Sequence, residues 1–416
     1  MIESARVKTT SDILKLVKDR PADSMISDYF RHNRYIGAKD KKAILNRFYR
    51  IMRNWYKLRW YMERYSIQPS TFYLILLDAA LNGEDTTEIF DNGTHSFPEL
   101  DEKQAKLYSS MSKETLVHKD MPDQIKLECN DEYWALFSNT FTDSKELYNE
   151  LEAMQHQAPF DLRVNLIKTT RDEIIDEVEG AQPMPISPFG MRLEKRININ
   201  ELECFKKGAI EVQDEGSQLI AMIVDAKAKD SIVDFCAGAG GKSLAMAGTM
   251  GNKGRITACD IFESKLKRAK QRFKRADVQN TATKVLDGNS GKWLSRNNGK
   301  IDKVLVDAPC SGSGTWRRNP DMKIRAIDIE KITRTQGEIL QKACKLVKRD
   351  GNLFYATCSM FNEENEGVIE KFLENNPDFK LEKIEQDFVG ENNGYFHSSP
   401  YKTQTDGFFV AKLKRN

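Results

Sequence analysis

The sequence has few of the residues that build metal sites and disulfide frameworks. It contains five histidines and seven cysteines, and no two cysteines lie at the C-x-x-C spacing typical of zinc sites. An odd number of cysteines at irregular intervals also argues against a set of structural disulfides. We therefore expect free thiols, a reducing cytoplasmic location and no metal.

Long apolar runs and a strong net charge are also missing. No stretch approaches the roughly 18 apolar residues of a membrane-spanning helix, and residues 1–6 lack a signal-peptide pattern, so we expect no membrane association. The formal net charge is only +2. The charge is unevenly placed, because residues 1–65 hold 16 basic and 7 acidic residues whereas residues 66–160 hold 6 and 18. This asymmetry indicates a polyanionic partner that meets one face only.

The 416 residues are enough for two or three domains. Apolar residues recur at helical spacing through residues 1–125, which predicts an all-helical domain. Residues 126–205 combine a helix with short strand and turn patterns, which predicts a linker helix and a small α/β, RRM-like subdomain. Over residues 206–416, strands alternate with turns and helices, the pattern of a doubly wound parallel sheet. We therefore expect an α/β, Rossmann-like domain there.

Basic and aromatic residues alternate between residues 41 and 60 of the helical region. The basic residues are Lys41, Lys42, Arg47, Arg50, Arg53, Lys57 and Arg59, and the aromatic ones are Tyr49, Tyr56 and Trp60. One interpretation is an RNA-binding face with stacking aromatics. The other is a solvated face over an apolar stripe, and the sequence leaves both open.

A glycine-rich turn follows the strand predicted over residues 230–236. It reads Ala237-Gly238-Ala239-Gly240-Gly241-Lys242-Ser243 and leads into a helix. Such a turn lets a ligand approach the backbone closely. Asp260 ends the next strand, at the position that binds ribose hydroxyls in nucleoside-cofactor sites, and Asp287 ends the third strand. An NAD enzyme shares these features and a packing turn is a further alternative, but the spacing of a P-loop is absent.

Two later strands each end in a cysteine, at Asp307-Ala308-Pro309-Cys310 and at Ala356-Thr357-Cys358. Because the carboxyl ends of neighbouring parallel strands line one crevice, we expect both thiols and Asp307 to meet there. Either cysteine alone is more often structural. Together they suit methylation at carbon 5 of a pyrimidine, which becomes nucleophilic only after a thiolate adds at carbon 6. A base must afterwards remove the carbon 5 proton.

These motifs resemble the Fmu/Sun (RsmB-like) family of RNA cytosine-5 methyltransferases over residues 158–416. The main matches are Asp307-Ala308-Pro309-Cys310-Ser311-Gly312-Ser313-Gly314, followed by Arg318-Asn319-Pro320-Asp321, and Tyr355-Ala356-Thr357-Cys358-Ser359, followed by Glu363, Glu364 and Asn365. The chain departs from the family's Cys-Ala-Ala-Pro-Gly-Gly-Lys-Thr turn by having Ala239 in place of proline. We expect this change to weaken the preorganisation of the turn without abolishing cofactor binding.

The resemblance implies a Rossmann-like domain that binds S-adenosylmethionine and methylates RNA cytosine. Cys358 would attack carbon 6, Cys310 would assist release of the adduct, and Lys242 would orient groups at the site. Asp260 would bind the ribose and Asp287 the adenine, while Asp307 would contact the methionine end or the base. The remaining cofactor contacts would come from Cys236, Ala237, Gly238, Ala239, Gly240, Gly241 and Lys242.

The implied partner is RNA. Residues 36–44 are faintly similar to the NusB-like domain of one branch of the family, which implies 16S ribosomal RNA as substrate, and no oligomer is implied. Arg163, Arg317 and Arg318 are candidate phosphate contacts. The alternatives are another ribosomal or transfer RNA cytosine and a non-catalytic RNA-binding assembly factor. An amino-group methyltransferase is disfavoured, because such enzymes usually have Asn/Asp-Pro-Pro-Tyr/Phe where this chain has Asp307-Ala308-Pro309-Cys310.

Overall fold

A computed structural model describes residues 1–17 and 21–416. The chain divides into two compact units. The helical unit comprises Met1–His156 and the later segment Trp316–Ile327, and the sheet unit comprises Gln157–Thr315 and Asp328–Asn416. None of the helices described is both long and apolar enough to cross a lipid bilayer.

The described part of the helical unit contains ten α-helices. They are α1 (Glu3–Leu16), α2 (Ala22–His32), α3 (Ala38–Arg53), α4 (Trp55–Arg64), α5 (Thr71–Leu81), α6 (Thr86–Ile89), α7 (Glu102–Met111), α8 (Asp123–Lys126), α9 (Asp131–Thr140) and α10 (Ser144–Gln155). The helical stretch from Ala38 to Arg64 is interrupted at Asn54, which separates α3 from α4. Helices continue past residue 125 to Gln155 within the same unit.

The core of the helical unit forms along the apolar stripe of α3. Ile44, Phe48 and Ile51 recur at the spacing of one helix face and are fully buried. The segment Trp316–Ile327 joins this unit through packing as well as hydrogen bonds, because Ile324 packs against the core and the Trp316 ring lies edge-on to two aromatic rings of α9.

The sheet unit begins with a small antiparallel sheet in the order β2-β3-β1-β4. Its strands are β1 (Phe160–Val164), β2 (Gln182–Pro183), β3 (Gly190–Leu193) and β4 (Ile210–Val212), with short helices α11 (Arg171–Ile174) and α12 (Glu203–Lys206). Thr170 and Glu173 form a capping box at the start of α11. This sheet clusters with the large sheet, and the division of the chain into three domains at residues 125 and 205 stays a prediction.

The large sheet has the strand order β10-β12-β9-β8-β5-β6-β7, with β11 also paired to β12. Its strands are β5 (Ser231–Asp234), β6 (Arg255–Asp260), β7 (Thr281–Val285), β8 (Ile301–Asp307), β9 (Val347–Thr357), β10 (Phe379–Leu381), β11 (Tyr395–Ser398) and β12 (Phe408–Arg415). The accompanying helices are α13 (Glu215–Val224), α14 (Gly241–Thr249), α15 (Glu263–Arg275), α16 (Gly291–Asn297), α17 (Ile329–Ala343) and α18 (Glu366–Asn375).

The expected Rossmann-like fold is confirmed, although the sheet is mixed rather than wholly parallel. Strands β5 to β9 pair in parallel, whereas β12 runs antiparallel to β9, β10 and β11. An antiparallel pair does not need a crossover helix, and none intervenes between β10 and β12. The chain reverses its direction of progress between β7 and β8, so β5 and β8 flank the point where open α/β sheets bind ligands.

Candidate active site

The two cysteines predicted to share a crevice lie side by side in the structure. Asp307, the last residue of β8, pairs in register with Ala356 of β9, so the loops after both strands start at the same level. The Sγ atoms of Cys310 and Cys358 are 3.2 Å apart. The Gly314 N–H also donates to the Cys358 carbonyl at 3.0 Å, which joins the two loops through backbone. Neighbouring parallel strands therefore place both thiols at one edge of the sheet.

Lys242 and Asp307 form an ion pair at the same edge. The Nζ atom of Lys242, in the first turn of α14, lies 2.6 Å from Oδ2 of Asp307. Burial alone would lower the pKa of Lys242, but the Asp307 carboxylate outweighs it and raises this pKa above its ordinary value, with smaller contributions from Asp234 and Cys358. Lys242 therefore stays a cation at neutral pH within electrostatic reach of Cys358.

The two thiols have different surroundings. The hydrogen bond to Cys358 is the largest cause that raises the pKa of Cys310 well above its ordinary value, followed by burial and by the negative charges of Cys358 and Glu364. Cys310 therefore keeps its proton while a negative charge is present on Cys358. Lys242 interacts electrostatically with Cys358, whereas Glu364 interacts with Cys310, so the two thiols have different electrostatic surroundings.

The glycine-rich turn and Asp260 are joined directly. Gly238, with φ of +55°, donates its N–H to Oδ2 of Asp260 at 3.0 Å, while Oδ1 accepts from the Phe262 N–H at 2.8 Å. Gly240 has φ of +78°, and a Cβ there would lie 2.7 Å from the Phe273 ring. Glycine is thus required at Gly240 both by backbone conformation and by close packing.

Asp287 lies two residues beyond β7 and its side chain faces solvent. It accepts hydrogen bonds from Asn289 N–H and Ser290 Oγ, both at 3.0 Å, and these bonds hold its pKa below the ordinary value. Cys236 follows β5, and burial raises the pKa of its thiol, so Cys236 is a packed thiol rather than a nucleophile.

Asp234 lies at the site but was not among the residues predicted from the sequence. This residue ends β5 directly before the turn and is buried, with Oδ2 accepting from Ser243 Oγ at 2.6 Å. Its Oδ1 is buried and has no hydrogen-bond partner among the residues described. Burial raises the pKa of Asp234 to about 7. Its position at the end of the first strand before the turn was the available signal.

The turn region fits a nucleoside cofactor with a charged amino acid tail. A Cβ on Gly238 would project into open space, so the backbone offers an approachable surface, and the Asp234 oxygen without a partner offers a buried hydrogen-bonding group. Asp260 is oriented by two backbone N–H groups and Lys242 by Asp307. In the chain as described, no group of three His, Cys, Asp or Glu side chains is arranged to hold a metal ion.

The expected RNA contact at Arg163 is corrected to a structural one. Arg163 is buried, its Nε donates to Gln213 Oε1 at 2.6 Å, and burial lowers its pKa to about 10. Arg317 is also buried, within the helical unit, and its carbonyl accepts from the Arg53 guanidinium. Neither guanidinium is open to a phosphate. Arg318 is half-buried in the same segment.

The basic residues of α3 and α4 are largely engaged inside the helical unit. Arg47 and Arg50 bind the carboxylates of Asp78 and Glu84, and Lys57 is buried beside Gln155. The structure therefore favours a packing role for these cations. Exposed basic residues remain, among them Lys42 at the start of α3.

Comparisons with known proteins point to a methyltransferase. Residues 221–414 match the family described as "16S rRNA methyltransferase RsmB/F". The chain is 34% identical over 266 residues to "Probable ribosomal RNA small subunit methyltransferase B" of Bacillus subtilis (strain 168), covering 61% of this chain and 59% of that protein. It is 34% identical over 276 residues to "Ribosomal RNA small subunit methyltransferase B" of Pasteurella multocida (strain Pm70), covering 64% and 61%. The match thus spans about three fifths of the length of these relatives.

The fold is also similar to that of solved structures. The crystal structure of PH0851 superposes with a TM-score of 0.82 at 25% identity, covering 99% of this chain and 98% of that one. The resemblance noted from the cysteine motifs is confirmed. Residues 221–414 of this chain are similar to the RsmB/F (Fmu/Sun) family of methyltransferases.

Proposed function

We propose that this protein is an S-adenosylmethionine-dependent RNA cytosine-5 methyltransferase that acts on 16S ribosomal RNA. The observation that carries the proposal is the pair of sulfurs 3.2 Å apart at the ends of β8 and β9, with the Lys242–Asp307 ion pair beside them. A methyltransferase of oxygen or nitrogen atoms needs no thiol, whereas carbon 5 of cytosine needs a nucleophile at carbon 6.

The proposed chemistry begins at Cys358. The Cys358 thiol loses its proton, and the sulfur forms a bond to carbon 6 while the electron pair of the 5,6 double bond moves to carbon 5. S-adenosylmethionine, when bound, supplies an electrophilic methyl group to that carbon. Carbon 5 then loses its proton to Cys310, the electron pair of that carbon–hydrogen bond re-forms the double bond, and the carbon–sulfur bond breaks to return Cys358 as a thiolate.

Cys310 is proposed to assist the release step. Its raised pKa keeps it protonated while the Cys358 sulfur is anionic. Once that sulfur is bonded to carbon 6 its negative charge is gone, so Cys310 can release its own proton to solvent and then accept the carbon 5 proton. Lys242 favours the anionic sulfur of Cys358, and Asp307 holds Lys242 in place. The target base must be exposed or rotated out of any stack to reach these groups.

The proposed cofactor contacts follow the strand ends. The turn at residues 236–242 would carry the methionine part, Asp260 the ribose and Asp287 the adenine, and Asp234 adds a buried hydrogen-bonding group close to the turn. S-adenosylmethionine is the cofactor of this family.

Changing Asp260 to Ala should weaken S-adenosylmethionine binding without changing RNA binding, as measured by calorimetry and filter binding. Unchanged cofactor affinity would remove Asp260 from the site.

The substrate is proposed from the family and from the relatives' names. We also propose that the helical unit binds RNA. The decisive test incubates the protein with tritiated S-adenosylmethionine and 16S ribosomal RNA, followed by nucleoside analysis and bisulfite sequencing. We expect 5-methylcytidine at one position. Label in another ribosomal RNA or in transfer RNA would redirect the substrate assignment, and absence of label with RNA bound would indicate a non-catalytic assembly factor.

A further inference from the structure

A buried carboxylate bridges the two cysteine loops. Glu364 is fully buried, its Oε2 accepts from the Ser311 N–H at 2.9 Å, and its Oε1 accepts from Ser359 Oγ at 2.6 Å. Ser311 directly follows Cys310, and Ser359 directly follows Cys358. We propose that Glu364 is a positioning residue for the methyl transfer proposed above, which ties the two loops together and sets the separation of their sulfurs.

Glu364 is itself held from two further elements. Nε2 of Gln336, on α17, donates to Oε2 of Glu364 at 2.8 Å and to the Pro309 carbonyl at 3.0 Å. The hydroxyl of Tyr355, on β9, donates to the Glu364 main-chain carbonyl at 2.6 Å. A carboxylate with both oxygens engaged and its backbone fixed cannot shift without moving both loops, which is the arrangement that preorganises a site.

The carboxylate also determines the direction of a hydroxyl network between the loops. Ser359 Oγ lies 3.2 Å from Ser311 Oγ and 3.1 Å from Ser313 Oγ. A hydroxyl has one proton to donate, and Ser359 gives its proton to Glu364, so Ser359 can act only as an acceptor toward the other two serines. Ser313 Oγ in turn accepts from the Met360 N–H at 2.9 Å. Removing the acceptor at Glu364 would therefore disorganise several contacts behind both thiols.

The test measures the thiol–disulfide equilibrium of Cys310 and Cys358 with glutathione in the full-length protein. The two thiols lose two electrons and two protons as glutathione disulfide is reduced to two glutathione thiols. The equilibrium constant is thus the effective concentration of one thiol at the other, and it does not depend on how fast reagents reach them. Mass spectrometry of the linked peptide separates this pair from the other cysteines.

We expect Glu364→Ala to lower this equilibrium constant by about tenfold or more, as loosened loops reduce effective concentration. Glu364→Gln keeps one acceptor and should give a smaller decrease. Methyl transfer should fall in the same order, with unchanged affinity for S-adenosylmethionine. Glu215→Gln is the matched control, because Glu215 is another fully buried carboxylate of the sheet unit that accepts two backbone N–H groups, both at 2.8 Å. It should leave the constant unchanged.

Wild-type equilibrium constants in both Glu364 variants would overturn the proposal. If Glu364→Ala does not fold, Glu364→Gln alone tests the proposal. An equilibrium constant for Glu364→Gln equal to that of Glu215→Gln would then overturn the proposal. The measurement needs neither RNA nor cofactor. A lowered constant in a protein whose wild-type form transfers no methyl group would therefore support the positioning role of Glu364 while refuting the proposed function.

Discussion

The sheet unit and the helical unit use buried charges for different purposes. In the sheet unit, Lys242 and Asp307 pair at the end of a parallel strand, where a ligand has access. In the helical unit, Lys323 and Glu128 pair at 2.5 Å in the interior, where Lys323 donates to the Arg53 carbonyl at the end of α3. A charge at a strand end remains available for chemistry, whereas a charge between helices joins structural elements.

The largest effect is expected at Cys358. Changing Cys358 to Ala removes the proposed nucleophile and should reduce methyl transfer by about a thousandfold or more, measured in single-turnover assays with labelled S-adenosylmethionine. Cys344→Ala serves as the control, because Cys344 is a buried thiol elsewhere in the sheet unit. Equal rates of methyl transfer for the two variants would show that Cys358, like Cys344, has a structural role and is not the nucleophile.

Asp234 should make the stability of the protein depend on pH. Burial raises its pKa to about 7, with Ser243 and Lys242 opposing and Asp307 and Asp260 adding to the increase. Between pH 4 and 7 the unfolded chain loses this proton while the folded protein retains it, so the free energy of unfolding falls as pH rises. Asp234→Asn cannot ionise, and its stability relative to wild type should therefore rise across this range by about 4 kcal/mol.

Urea denaturation of both proteins at pH 4.5 and pH 7.5 measures this change. A difference between Asp234→Asn and wild type that stays constant with pH would show that Asp234 is ionised in the folded protein at both values.

Glu128→Gln tests the role of the buried charge pair in the helical unit. It leaves the Lys323 ammonium buried without its counter-charge and weakens the capping of α4, whose Tyr56 and Lys57 N–H groups donate to Glu128. We expect a loss of about 3 kcal/mol of stability, measured by denaturation. The double variant Glu128→Gln with Lys323→Met should recover part of that loss. Affinity for S-adenosylmethionine should not change; a decrease would mean that this charge pair also serves the cofactor site.

The smallest effect is expected from an exposed cation of α3. Lys42→Ala should weaken RNA binding about twofold and reduce the salt dependence by about one phosphate contact. Lys103→Ala, at an exposed position of the acidic part of the helical unit, is the control. If both variants bind RNA like wild type across the salt titration, the face around Lys42 does not contact RNA.

The chemistry-bearing residues of the sheet unit could be located from sequence because strand ends fix their positions. Cys310, Cys358 and Asp307 follow parallel neighbours, and that adjacency alone brings them together. The glycine turn with Asp260 was found in the same way. Asp234 was not predicted as a site residue, because its raised pKa comes from burial. The sequence shows only that a carboxyl group precedes the glycine turn, not that this group is buried.

Other features depend on partners far away in sequence. Arg163 donates a hydrogen bond to Gln213, which lies fifty residues later in the chain. Because this partner could not be seen in the sequence, Arg163 was interpreted as a surface cation. Arg317 lies seven residues after Cys310 in the chain but packs in the helical unit. The sequence predicted a parallel sheet over residues 206–416, whereas β12 runs antiparallel to its neighbours. Strand direction depends on the connection between strands, which residue types do not reveal.

The most direct test of the account is the covalent adduct between protein and RNA. Cys310→Ala, incubated with 16S ribosomal RNA and S-adenosylmethionine, should accumulate a complex that survives denaturing electrophoresis, and peptide mapping should locate the bond at Cys358. The double variant with Cys358→Ala should form none. An adduct that forms in the Cys358→Ala protein through Cys310, and not in Cys310→Ala, would contradict the roles given to the two thiols.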